Sequence, residues 1–576
     1  MRHFKNFETV VYIPAQVAAS FTKAKLSREY SFLEKYVGLD KVYLETHRGE
    51  CDVDKEKLLM IKGFLESKGV KVSGGITTTI PDFKGAEPGK SRLFETFCYT
   101  DPAMRNRLKE IVEFTAGIFD ELILDDFYFT NCTCERCVKE KGNDDWVTFR
   151  KKLMLDVSKN IIVDPAKKVN PKINVIIKYP NWRESYHAAG YVPNEQSKIF
   201  DATYTGTETR SPMYTDQHLP EYLSYSIVRY MENAWPNRNG GGWLDTYQCW
   251  SADRYLEQAY LTAFSKAKEI MLFQWSDLID NYFVCPMGLQ LNKIDKMLKG
   301  TGAPKGVHTY IPFESGNQNH VEMRLGMLGL NIESSPFFNE KAKSVLLTSD
   351  AAKDKDIVKK LKEYVRRGGK AVITTGFFLL KGDELRKEGL TQATLEAGDF
   401  TVTRYQVTGD EGGYYEHQKP ILFPILSHFN NDSWSLLNGG DKDVHHSLFL
   451  RSSFEKGNLY IFAVPKNPSD LYEMPAEAID VVKRALFDET YVTGKHFSFF
   501  EYEDGSFIMY RYVKKDLHTD YVTVHTDKKV KALKNLTTGK KIEVTKEVVS
   551  EDFKSHEFYS AKVLITPGVF EKFAWE

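Results

Sequence analysis

Eight short apolar, β-branched runs, each followed by a longer amphipathic stretch, recur along residues 1–300 and constrain the fold more than any other feature. The runs are Thr9–Ile13, Lys41–Leu44, Val70–Ile76, Glu121–Phe127, Asn174–Tyr179, Phe200–Thr205, Trp243–Tyr247 and Glu269–Trp275. Repeated β-α units in this number and length predict a closed (β/α)8 barrel and not an open sheet. Between the sixth and seventh runs, Leu223, Ile227 and Met231 recur every four residues. That spacing predicts a helix over Tyr222–Ala234, closed by Pro236 and the Gly240-Gly241-Gly242 run, with the seventh strand starting at Trp243.

The chain has 576 residues, and single cores stop growing near roughly 250–300. Beyond a linker near Gly300–Pro304 the pattern restarts on a smaller scale. Ser344–Thr348 reads as a strand, Lys353–Arg367 as a helix ended by Gly368-Gly369, and Lys370–Thr375 as a second strand, a βαβ unit with a right-handed crossover. Helical signals fade from about Gly398. From Phe497 onward, alternating segments such as Ser506–Tyr512 and Tyr521–His525, with Asp-Gly and Thr-Gly turns, predict a small antiparallel β domain.

The formal net charge of -1 leaves no basic field for nucleic acid or an anionic membrane. No stretch reaches the roughly 18 apolar residues of a membrane span, and the opening Met1-Arg2-His3-Phe4 lacks the apolar region of a signal peptide. A soluble chain is expected, cytoplasmic, or periplasmic if a leader was trimmed. Aromatic residues make up 13% of the chain; most must be core, but the apolar face of a pyranose also stacks on such rings. Three of the 7 cysteines crowd into Cys132-Thr133-Cys134-Glu135-Arg136-Cys137, which reads as metal ligands or free thiols before it reads as a disulfide framework.

In a (β/α)8 barrel the active site lies at the carboxyl ends of the strands. Six of these ends are polar. They offer Glu45, His47 and Arg48 on the second strand, Asp125-Asp126 on the fourth, and Lys178, Tyr179 and Trp182 on the fifth. The sixth adds Glu208 and Arg210, the seventh Asp245 and Tyr247, and the eighth Gln274, Trp275 and Asp277. Glu45, His47, Lys178, Trp182, Asp245, Gln274, Trp275 and Asp277 are the candidate substrate contacts. Glycosidic cleavage needs two carboxyl groups, one to protonate the leaving oxygen and one to act as nucleophile or to activate water. Asp125-Asp126 follows the apolar Leu122-Ile123-Leu124, so one of the two points into the mouth; Asp126 is the candidate, while Asp125 has a place in the barrel layer beside a cation such as Lys178. Glu208 stands next to Arg210, which would keep it ionised. Glu232 is a further candidate: it reaches the mouth if Ser226–Met231 is a strand, and lies on a solvated face if that stretch is helix.

Cys98 before the third barrel helix, Asp125-Asp126, the Cys-x-Cys-x-x-Cys triplet and Phe273-Gln274-Trp275 together resemble glycoside hydrolase family 42, the trimeric β-galactosidases. The resemblance implies a barrel over residues 1–300, a flavodoxin-like trimerisation domain over 301–490 and a small β domain over 491–576. It also implies a homotrimer, an oligosaccharide or glycoside substrate, and a structural zinc on Cys98, Cys132, Cys134 and Cys137, without an organic cofactor. A four-thiolate set leaves no open position for water, which makes such a metal structural. The departures concern the catalytic motifs. The family carries Asn-Glu where this chain has Asp125-Asp126, so Asp126 inherits the acid/base position, and Met231-Glu232 resembles the family's nucleophile. A fourth-strand Asp with a sixth-strand acid equally resembles retaining α-galactosidases, with Asp126 as nucleophile and Glu208 as acid/base. The expected activity is exo-acting hydrolysis of galactoside-like or related sugars. The competing reading is a carbohydrate-binding barrel without catalysis, although two adjacent carboxylates at an apolar strand end are costly to keep without a role.

Overall fold

The eight runs close into a parallel barrel in the computed structural model, which describes residues 4–81, 92–281, 283–316, 319–409, 413–442, 446–487, 489–551 and 554–576. The Met1-Arg2-His3 opening falls outside them. Strand β1 (Glu8–Ile13) pairs with both β2 (Lys41–Arg48) and β8 (Glu269–Phe273). Between these, β3 (Lys71–Ile76), β4 (Glu121–Leu124), β5 (Asn174–Tyr179), β6 (Ala202–Gly206) and β7 (Asn239–Asp245) complete the ring. Side chains alternate along each strand. Val10, Tyr12, Ile123, Ile176, Trp243 and Met271 thus fill the interior as one buried cluster.

The four-residue periodicity does form a helix, Leu223–Ala234. The expectation for the glycine run needs correction, because β7 begins at Asn239 and contains it. A Cβ at Gly241 would lie 2.1 Å from the Glu269 carbonyl oxygen, and one at Gly242 would lie 2.3 Å from the Thr262 methyl. Close approach by neighbours, and not helix termination, requires glycine there.

The chain divides into two units, Met1–Lys299 and Gly300–Glu576. The second contains a nine-stranded sheet whose parallel part runs Ile332–Ser335, Val307–Tyr310, Ser344–Leu347, Lys370–Thr374, Gly457–Phe462. This is the second-first-third-fourth-fifth order of flavodoxin-like folds. Its helix Ile357–Arg366 buries Ile357, Val358, Leu361, Tyr364 and Val365 at helical spacing. The fading of helical signals after Gly398 corresponds to four antiparallel strands, between Thr394 and Phe454, that extend the same sheet. The tail forms a six-stranded and a four-stranded sheet sharing a core that includes Phe499, Phe507, Val524, Val563 and Phe573. The short strand Pro304–Lys305 joins the six-stranded sheet by pairing with Phe497–Tyr502. No helix among the described residues is long and apolar enough to cross a membrane.

Candidate active site

Lys178 lies two residues beyond the inward-facing Ile176 on β5, so strand periodicity carries its side chain up the barrel axis. Its ammonium sits 3.9 Å from the centroid of the Trp243 ring and faces three carboxylates. Asp125 Oδ1 is 3.6 Å away, Asp126 Oδ2 3.1 Å and Glu208 Oε1 3.0 Å. Burial would strip the lysine of its proton, but Asp126, Glu208 and Asp125 outweigh that and raise its pKa.

The adjacent aspartates behave differently. Asp125 accepts from Arg48 Nη2 at 2.9 Å and from the Thr77 hydroxyl at 3.1 Å, and its side chain is 3% exposed. Burial opposes its ionisation, yet Lys178 and Arg48 hold its pKa down at about 2. Asp126 keeps 24% of its side chain exposed. Its pKa is pushed well above the carboxylate range by burial, against the pull of Lys178, and further by the neighbouring Asp125 and Glu208 charges. The pair therefore combines one acid held ionised by its cations with a second, reachable one that keeps its proton to higher pH than an ordinary carboxylic acid.

Glu208 leaves β6 two residues after its last position, with Lys178 on Oε1. Its Oε2 is buried without a hydrogen-bond partner. A Cβ at Gly206 would stand 2.6 Å from that oxygen and 3.0 Å from the Asn181 amide nitrogen, so the carboxylate occupies space that only glycine leaves open. Asn181 Nδ2 holds the Glu208 carbonyl at 2.6 Å. Arg210 does not pair with Glu208. It makes a two-pronged bond to Asp245, Nε to Oδ1 at 3.1 Å and Nη2 to Oδ2 at 2.8 Å, because its own left-handed backbone turns the guanidinium toward β7.

Several expected substrate contacts are instead committed to the protein. Glu45 is fully buried and accepts from the Tyr12 hydroxyl at 2.7 Å, the Ala15 amide at 2.7 Å, Arg48 Nε and the Thr77 hydroxyl. His47 spends Nδ1 on Asp52 and Nε2 on the Thr79 carbonyl. Trp275 is buried, with its indole N–H on Glu29. Glu45, His47 and Trp275 are therefore withdrawn as sugar contacts, having neither exposure nor free polar atoms. Glu232 is withdrawn from the catalytic candidates: it lies near the end of helix Leu223–Ala234 and accepts from the Asn237 amide, just before β7 begins. That is the amino end of the strand, opposite the mouth. Trp182 packs edge-on against Phe129, and Gln274 holds Asp277 at 2.9 Å; all three stay partly exposed at the carboxyl ends. Tyr12, Thr77, Asn181 and Gly206 were not singled out from sequence. A tyrosine inside the apolar β1 and a glycine at the end of β6 were the available signals.

Beside this site, the Sγ atoms of Cys98, Cys132, Cys134 and Cys137 all lie within 4.8 Å of one another, and Cys98 Sγ is 3.7 Å from each of the other three. Four thiolates at about 2.3 Å from a tetrahedral ion stand about 3.8 Å apart, so the cluster fits a metal ion. The Thr100 hydroxyl adds a contact 3.3 Å from Cys98 Sγ and 3.1 Å from Cys137 Sγ.

Residues 1–287 match the family described as "Probable glycosyl hydrolase, catalytic domain". That match covers nearly all of the barrel unit, Met1–Lys299. Residues 302–467 match a second, described as "Uncharacterized protein SSO3021, second domain". The curated relative of that name, from Saccharolobus solfataricus, is 28% identical over 305 residues. That match spans 48% of this chain and only about half, 50%, of the relative. Among solved structures, a β-galactosidase from Bacillus circulans sp. alkalophilus superposes with a TM-score of 0.62 at 13% identity, covering 99% of both chains. The GH42 β-galactosidase Gan42B from G. stearothermophilus, as a catalytic mutant, gives 0.62 at 12%, covering 100% of both. The fold is thus that of the GH42 β-galactosidases.

Proposed function

We propose that the barrel hydrolyses a terminal glycosidic bond, on a galactoside-like or related sugar, with Asp126 as general acid/base and Glu208 as nucleophile. The observation that carries this reading is the shared ammonium of Lys178. Both carboxyl groups lie about 3 Å from one nitrogen, so their nearer oxygens are no more than about 6 Å apart, which admits the shorter separation of double-displacement enzymes. In the first step Glu208 attacks the anomeric carbon while protonated Asp126 gives its proton to the departing glycosidic oxygen. In the second, Asp126 as carboxylate takes a proton from water, which attacks the glycosyl ester and frees Glu208 with the original configuration. Lys178 and, through it, Asp125 and Arg48 position the two groups; they need not touch the sugar. Burial of Glu208, Lys178 and Asp125 at the base of the mouth suits a pocket that receives one end of a chain.

The test is a panel of aryl α- and β-glycosides with the purified chain. Turnover of at least one, with retained configuration, is expected; none would return the barrel to the carbohydrate-binding reading. Zinc on the four cysteines would clip the loop beside Asp126 without entering the reaction. About one equivalent of zinc per chain is expected by elemental analysis; under a tenth, with four titratable thiols in the folded state, would remove it. For assembly we infer a homotrimer through the second unit, and a monomer mass in light scattering at micromolar concentration would refute it.

A further inference from the structure

Three exposed aromatic rings stand on the loops after β6 and β7: Trp250 at 73% exposure, Tyr247 at 62% and Tyr214 at 57%. Exposed apolar surface of this kind on one rim marks a recognition site more often than chance. The rings are also held in place. Tyr214 stacks on Trp250, centroids 4.6 Å apart and planes 30° from parallel, and the Trp250 amide donates to the Ser211 hydroxyl at 3.1 Å. One indole face is thereby supported, and the other is left to solvent. Tyr247 carries the Arg210 guanidinium 5.1 Å from its centroid. Arg210 in turn is fixed to Asp245 and contributes to the fields at Asp126. Tyr247 is thus tied through Arg210 to Asp245 at the end of β7, and the Tyr214–Trp250 pair is tied through Ser211 to the loop that carries Arg210.

We infer that Trp250, backed by Tyr214, and Tyr247 form a stacking platform for the sugar rings on the leaving-group side of the bond, so that the chain takes an oligosaccharide in preference to a monosaccharide glycoside. This rests on the hydrolase reading above. A pyranose presents a face of weakly positive C–H groups, which complements the negative face of an aromatic ring. The terminal residue lies at the buried carboxylates, and any further residue of the chain must pass over the exposed rim. Arg210, partly exposed and braced by the buried Asp245, offers a polar partner to ring hydroxyls at the turn between the two. A second copy of the chain as the occupant would instead need Trp250 for association.

The experiment uses the full chain carrying Asp126→Asn, which slows turnover by about a hundredfold or more and mimics the protonated acid in shape and charge. Calorimetric titration with galactotriose, cellotriose and mannotriose, and with the matching monosaccharides, gives an affinity ratio for each. At least one trisaccharide is expected to bind about tenfold more tightly than its monosaccharide, and Trp250→Ala should bring that ratio close to one, with partial recovery in Trp250→Phe. No trisaccharide preference in the parent, or a ratio unaltered by Trp250→Ala, overturns the platform. A changed particle mass in light scattering for Trp250→Ala also overturns it, in favour of an interface between copies. Preserved trisaccharide preference in a chain that cleaves no glycoside would break the hydrolase reading and leave the platform standing.

Discussion

Each end of the barrel holds one buried lysine among acids, and the two clusters are closely similar in their electrostatics. At the amino ends, Lys41 lies 2.6 Å from Glu121 and 2.8 Å from Glu269, with the Tyr43 hydroxyl at 2.8 Å. Burial raises the pKa of Glu269 despite Lys41, whereas Lys41 and donors from Asn174 and Ser73 overcome burial at Glu121 and lower it. That is the same division into one raised and one lowered acid as Asp126 and Asp125. The amino end even carries an open depression of about 740 Å³, lined by Lys41, Glu121 and Glu269 among others. A lysine-bridged acid pair is thus not sufficient for a catalytic site. What differs is the surroundings. The lower acids begin their strands, Glu121 on β4 and Glu269 on β8, and Glu121 takes its extra bonds from strand residues. The upper ones sit beyond the strand ends, where loops bring Asn181 and Arg210 and the last residue of β2 brings Arg48. The amino face of such barrels serves stability and the carboxyl face chemistry.

This contrast can be broken from either end. Lys41→Met should be the most disruptive to the fold, because it leaves two partly buried glutamates without their cation; a loss of about 2–3 kcal/mol in denaturant unfolding is expected, with turnover of the surviving folded protein within about twofold of the parent. A large fall in turnover at unchanged stability would move chemistry to the amino end. Asp126→Asn should show the opposite pattern. Turnover falls by about a hundredfold or more, some 2.7 kcal/mol, while unfolding below the ordinary carboxylate range barely shifts. Equal rates in parent and variant would take Asp126 out of the mechanism.

The smallest effect concerns pH. A group whose folded pKa is raised contributes stability that is full below its unfolded value and is lost as pH rises through the folded one. Asp126 should therefore make the parent less stable, and less active as an acid, on the alkaline side of the ordinary carboxylate range. Asp125, held at about 2, should lose its contribution only as pH falls from about 4 toward that value. Asp126→Asn should remove the first slope from both the unfolding and the rate profiles and leave the second. Persistence of the alkaline limb in the variant would assign it elsewhere.

The barrel was legible in sequence because the signal is periodic and local: eight apolar runs at regular spacing leave few alternatives. The glycine run was misread for the opposite reason. Gly241 and Gly242 are required by the backbone of Glu269 and the side chain of Thr262, contacts made across the sequence. Strand-end position also identified the residues that meet at Lys178, since alternation on β5 and the ends of β4 and β6 point them to one axis. It could not separate Glu45 and His47 from Asp126. All three stand at or just beyond strand ends, and only the bonds to Tyr12, Ala15, Asp52 and Thr79 show which polar groups are already spent. Arg210 was expected beside Glu208 on adjacency alone, and its backbone turn decides for Asp245.

The central claim is that Glu208 and Asp126 divide nucleophile and acid between them around Lys178. The most direct test is to inactivate the parent chain with the 2-deoxy-2-fluoro glycosyl fluoride of the sugar selected by the glycoside panel, and to map the adduct by mass spectrometry of its peptides. The account predicts one glycosyl group per chain, on Glu208. An adduct on Asp126 would reverse the two roles, and hydrolysis that proceeds with no adduct on either would contradict the account.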